Sequence, residues 1–145
     1  MLIEKDLYSK IREVIPTLCV DMVVTNWRNE FLLIKRTQSP AKGQWWLPGG
    51  RVFKNETLQQ AVLRKAREEI GVDVTFRDFI SVEETIFKKD NVHTVNAVFH
   101  VTYYGTDINL DKTHSTYVWE KEIDESLHFA VKNPIKKVME RKLRD

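Results

Sequence analysis

Cysteine occurs once in the 145 residues, so an internal disulfide framework is excluded and a reducing cytoplasm is the expected compartment. Proline and glycine are sparse, at four and five residues, and no linker, repeat or low-complexity tract interrupts the chain. No apolar run approaches a membrane span, and Glu4, Lys5 and Asp6 come too early for a signal peptide, so no membrane partner is expected. An excess of one charge is missing too. The 23 Lys and Arg against 21 Asp and Glu leave a formal +2, which gives no support to nucleic acid as the main partner. What remains is 42% hydrophobic residues at a length suited to one packed domain over 1–145. Cys19 reads as a buried small hydrophobe in an apolar strand.

The pattern predicts a short helix near Glu4 to Val14, then strands near Leu18 to Thr25 and Phe31 to Arg36 joined by a turn at Trp27-Arg28-Asn29. A loop at Pro40 to Gly43 leads to a strand ending in Trp45-Trp46-Leu47-Pro48. Further strands are expected around Val72 to Thr75, Phe79 to Phe87, Thr94 to Tyr104 and Tyr117 to Trp119, with a helix from about Glu125 to the end. Lys136, Lys137, Arg141, Lys142 and Arg144 look like the solvated side of that helix. Strands with two flanking helices fit an α/β sandwich on a mixed sheet. Asp21 is out of place in the apolar Leu18-Cys19-Val20-Asp21-Met22-Val23-Val24. It is either paired with a neighbouring Arg or a ligand contact, and hairpin pairing would bring it near Arg36 in one cleft.

Leu58 to Ile70 lacks Pro and Gly and is followed by Gly71, which predicts a helix with a capping side chain from Asn55-Glu56-Thr57. Leu58, Val62, Ala66 and Glu69 fall on one face, so Glu69 shares the buried stripe. A carboxylate there costs several kcal/mol unless paired or bound to a cation. Carboxylates and an unshielded glycine carbonyl suit Mg²⁺ or Mn²⁺. Glu69 is therefore the first expected metal ligand and Glu68 the second. Two adjacent glutamates on their own are usually solvated charges, and only their register with six further positions argues otherwise. Lys65, three and four residues before them, places an ammonium beside the same site.

The 23 residues from Gly50 to Val72, with Glu56, Arg64, Glu68, Glu69 and Gly71 in register, resemble the Nudix hydrolase signature. They depart from it at Ala66, small for a bulky aliphatic, and at Lys65, where the signature has its first helical Glu. The resemblance implies a Nudix-type α/β/α sandwich around a mixed sheet, with Glu56 and Arg64 tying loop to helix. From Pro16 to Val72, through Lys35-Arg36-Thr37 and Trp46-Leu47-Pro48-Gly49-Gly50-Arg51, the chain is most similar to the GDP-mannose mannosyl hydrolase branch, which also lacks that Glu. That likeness implies attack by water on the anomeric carbon of a nucleotide sugar, with Mg²⁺ (Mn²⁺ substituting) held by the Gly49 carbonyl and Glu69. It implies Arg36 and Arg51 on the leaving diphosphate, Asp21 on the sugar, His114 as general base, and a homodimer. An isolated histidine in the polar loop Leu110 to Tyr117 would ordinarily be read as exposed. His93, His100 and His128 gain no role. Three residues depart from the branch: Thr113 for a metal-binding Gln, Asn96 for a Tyr and Thr85 for a His, and the Lys88 to Val92 loop is shorter. Two other readings stay open, a pyrophosphatase attacking phosphorus in a nucleoside triphosphate or ADP-ribose-like substrate, and a module that binds a nucleotide sugar without cleaving it.

Overall fold

The computed structural model describes residues 2–144, with side chains through residue 142. Seven strands form one mixed sheet in the order β3-β2-β1-β6-β5, with β4 paired to β1 and β7 to β2. They are β1 (Thr17–Thr25), β2 (Phe31–Arg36), β3 (Trp45–Trp46), β4 (Gly49–Arg51), β5 (Thr75–Phe87), β6 (Val92–Thr102) and β7 (His114–Glu120). The parallel pair is β1 with β6, and the remaining pairs run antiparallel. Among the described residues three α-helices accompany the sheet: α1 (Lys5–Val14), α2 (Leu58–Ile70) and α3 (Phe129–Arg144).

Both faces of β1 are buried, which explains its near-continuous apolar run. Val20, Met22 and Val24 join Val62, Ala66 and Ile70 of α2 in one core layer. Val23 packs in the opposite layer with Phe31, Leu33 and Val131, Ile135 and Val138 of α3. The sheet is thus sandwiched between α2 and α3, the expected α/β/α arrangement.

The boundaries of α2 agree with the expectation, down to a Thr57–Gln60 capping box at its start and Gly71 at φ 66° at its end. A Cβ on Gly71 would also come within 2.8 Å of the Asn109 side chain. The stripe is shorter than expected, because Leu58 in the first turn is 37% exposed while Val62, Ala66 and Glu69 are buried.

Val72 to Val74 is not a strand but a connection, and the two expected strands merge into the single β5. Arg77 and Asp78, which look like an interruption, are absorbed by irregular register at Phe76/Asp78 and Phe79/Ser81 on this edge strand. The last helix starts at Phe129, later than Glu125, since Asp124 to Leu127 form a turn and the His128 ring accepts from the Ala130 N–H. Lys142 does not lie on the solvated side. It is half-buried with its ammonium 3.4 Å from the Thr25 hydroxyl, and burial lowers its pKa. Lys136 and Arg141 pair at the surface with Glu125 and Asp78, whereas the Arg144 side chain lies outside the described residues. No helix among the described residues is long and apolar enough to cross a membrane.

Candidate active site

Backbone pairing brings the residues of the site together. Antiparallel pairing of β4 with β1 sets Gly49 opposite Asp21. A side chain at position 49 would collide with the Asp21 carboxylate and the Val20 carbonyl, so only glycine permits this approach. On α2, the orphan carbonyls of the last turn are met by the segment before β7: Asn109 N donates to Ile70 O at 3.0 Å and Asp111 N to Glu69 O at 3.2 Å. A register shift in β2 between Ile34 and Arg36 then seats Arg36 opposite His114.

These constraints create a cavity of about 400 Å³. Asp21, Arg36, Gly49, Arg51, Glu69 and His114 all line it, so six sequence-predicted residues meet in one place. Glu68 does not. Its carboxylate bonds Arg64 at 2.9 Å and Lys65 at 3.3 Å, with 46% of the side chain exposed. Glu56 and Arg64 form the expected tie, at 2.6 Å, and Arg64 also donates to the Arg51 carbonyl at 2.9 Å.

Glu69 is 8% exposed. Its Oε1 accepts from Gly49 N at 2.8 Å and its Oε2 lies 3.5 Å from the Lys65 ammonium. Burial nevertheless wins and raises its pKa, against the lowering influence of Lys65, Gly49 and His114. Asp21 is also buried. Its partner is the Asn96 amide at 2.8 Å rather than an arginine, and burial pushes its carboxyl up to about 7. Asn96 in turn accepts from Thr94, whose hydroxyl bonds Thr85 at 2.6 Å, so two branch departures build one polar row leading to Asp21. Arg36 donates to the Pro40 carbonyl at 2.7 Å, while the Arg51 guanidinium sits near the rings of Tyr8 and Phe53. Cys19 is buried as expected, with its thiol raised to about 12 by burial and the Asp21 charge.

His114 is the first residue of β7 and is buried, not an exposed loop histidine. Its Nδ1 lies 2.9 Å from the Thr113 hydroxyl and 3.1 Å from Asp111 Oδ1. Burial raises the Asp111 pKa, but bonds from Thr113 and His114 outweigh it and hold the carboxyl below its ordinary value. Asp111 received no role from sequence, although Asp-x-x-His was in view. Tyr8 and Arg12 of α1 also reach the cavity wall, with Arg12 donating to the carbonyls of Asp90 and Asn91 at 3.0 and 2.9 Å. Their sequence signal was nil, since nothing local announces a contact across more than 70 residues. His93, His100 and His128 lie outside the cavity wall.

A ligand atom from each of Glu69, Asp111 and His114 falls within 4.8 Å of the others. Of these, the Glu69 and Asp111 carboxylates are the oxygen donors that suit a hard divalent cation. A cation would also offset the burial of Glu69.

The family profile described as NUDIX domain matches residues 16–138. The chain belongs to the Nudix family. Among curated relatives, the low-salt glycan biosynthesis protein Agl8 of Haloferax volcanii is 36% identical over 119 residues, 78% of this chain and 76% of that protein. An ADP-ribose pyrophosphatase of Methanocaldococcus jannaschii is 32% identical over 93 residues, 64% of this chain and 54% of that one, so only about half of its length is spanned. The crystal structure of a MutT NUDIX hydrolase from Burkholderia pseudomallei superposes with a TM-score of 0.76 at 24% identity, covering 86% of this chain and 98% of the other, a likeness of fold. Helix α1 lies outside the matched stretch.

Proposed function

We propose that this Nudix protein hydrolyses a nucleoside diphosphate linked to a sugar, such as GDP-mannose, at the anomeric carbon, releasing free sugar and nucleoside diphosphate. The observation that carries this reading is Lys65. Its ammonium lies 3.3 Å from Glu68 and 3.5 Å from Glu69, in the place of the signature's first helical carboxylate. Attack on phosphorus aided by several metals loses a ligand there and meets a repelling charge. Attack on carbon asks less, namely stabilisation of a departing diphosphate and a base for water.

Glu69 and the Gly49 carbonyl would hold Mg²⁺ or Mn²⁺, whose charge, when bound, favours a diphosphate leaving group. Glu68, committed to Arg64 and Lys65 outside the cavity wall, is the weaker choice. Arg36 and Arg51 supply guanidinium forks to diphosphate oxygens. His114 accepts a proton from water, the water oxygen bonds the anomeric carbon, and the electron pair of the breaking carbon–oxygen bond leaves on the diphosphate. Asp21 and the Asn96-Thr94-Thr85 row face the sugar hydroxyls with an acid, an amide and two hydroxyls. The relative named for glycan biosynthesis supports a sugar-bearing substrate, and the one named ADP-ribose pyrophosphatase favours phosphorus attack as the second reading.

Product analysis with Mg²⁺ across a panel of nucleotide sugars, nucleoside triphosphates and ADP-ribose tests the proposal. Free sugar plus nucleoside diphosphate from one or more nucleotide sugars is the expected result. Nucleoside monophosphate would support the second reading, and tight binding with no product a non-catalytic module.

Lys65 gives a separate expectation. Lys65→Glu restores the signature carboxylate and should raise the number of Mn²⁺ ions bound, or the share of phosphorus-directed products, measured by titration calorimetry and product analysis. Unchanged stoichiometry and products would remove Lys65 from the account.

A further inference from the structure

Hydrogen-bond donors and acceptors around His114 constrain its proton. The Thr113 hydroxyl donates to Asp111 Oδ1 at 2.6 Å, so its hydrogen is spent and only lone pairs face His114 Nδ1 at 2.9 Å. The second neighbour of Nδ1 is that same Asp111 oxygen, at 3.1 Å. Two acceptors cannot satisfy a bare ring nitrogen.

We infer that Asp111 is a positioning residue that fixes the proton of neutral His114 on Nδ1, leaving Nε2 as the lone pair available for the reaction. This rests on the reading of His114 as the general base.

Asp111 is well placed for such a role because the fold immobilises it from three sides. Its own N–H bonds the Glu69 carbonyl, and its carboxylate accepts from both the N–H and the hydroxyl of Thr113. The His114 side chain is 2% exposed, so water does not compete for Nδ1. When Nε2 takes the proton of the attacking water, the positive charge on the ring is met by the Asp111 carboxylate at Nδ1, which itself gains no proton. Asp111→Leu keeps about the same size and removes the acceptor. The Thr113 hydroxyl, left without Oδ1, then turns to donate to Nδ1, which favours a bare Nδ1 with the hydrogen on Nε2.

The test uses the full chain labelled with ¹⁵N at histidine, without substrate or metal. Long-range proton–nitrogen correlation spectra distinguish a protonated from a bare ring nitrogen, and comparison with His114→Gln assigns His114 among the four histidines. The expected spectrum shows His114 protonated on Nδ1, shifting toward Nε2 in Asp111→Leu. In parallel, Asp111→Leu should lower kcat by about 10²- to 10⁴-fold with little change in KM, as for a base held in the wrong tautomer. Asp111→Glu, which keeps the acceptor, should recover part of the loss.

A wild-type proton on Nε2, or a tautomer indifferent to Asp111→Leu, overturns the inference. So does a loss in Asp111→Leu that saturating Mn²⁺ restores, because Asp111 would then be a metal ligand. If His114→Gln retains full activity, the base reading fails and Asp111 loses its catalytic consequence. The tautomer, read without turnover, separates that failure from a failure of positioning.

Discussion

Glu69→Gln is expected to lower turnover by about three orders of magnitude and to weaken Mn²⁺ binding, whereas Glu68→Gln should cost far less. The two residues are adjacent in sequence and almost opposite in circumstance. Glu69 lies in the cavity wall, 8% exposed, with one oxygen fixed by Gly49 N and the other 3.5 Å from Lys65. Glutamine keeps the bond from Gly49 but removes the charge that a cation needs, and it points an amide donor at an ammonium. Glu68 faces Arg64 and solvent, so its replacement loosens a surface network of modest worth. Metal titration alongside kcat, with a thermal melt to show that both variants are folded, decides the point. Equal losses at the two positions would mean that their contrasting burial has no bearing on metal binding.

That contrast was legible in the sequence because a helix has a fixed period. Once Leu58 to Ile70 is helical, Glu69 must follow Val62 and Ala66 onto the sheet and Glu68 must turn away. The same logic placed Asp21, since a lone acid in an apolar strand needs a reason, but it could not name Asn96 as the partner. That contact depends on the parallel pairing of β1 with β6, across 75 residues, which no local pattern encodes. His114 shows the same boundary. A polar loop predicts exposure, yet the ring is buried because the preceding segment bonds the last carbonyls of α2 and the bulge in β2 draws His114 toward Arg36. Asp111 arrives beside Glu69 by that route too. Edge strand β5 misled the reading for a different reason, because an edge tolerates charges and bulges that would break a central strand.

Hydrolysis in heavy-oxygen water should leave the nucleoside diphosphate unlabelled and place the label on the free sugar. The diphosphate is the better reporter, because a reducing sugar exchanges its anomeric oxygen with solvent while phosphate oxygens do not at neutral pH. The expectation follows from charge placement. Lys65 stands where a further carboxylate would hold metal for a phosphorus-bound nucleophile, whereas Arg36 and Arg51 line the cavity and can receive a leaving diphosphate. His114 then has to be the base, and His114→Gln should slow the reaction by about 10²- to 10⁴-fold. Label in the diphosphate would falsify attack on carbon and return the site to phosphorus chemistry. An unlabelled diphosphate with a fully active His114→Gln would keep the bond assignment but require a different base, and Asp21, with its carboxyl raised to about 7 in the same cavity wall, is the group to replace next.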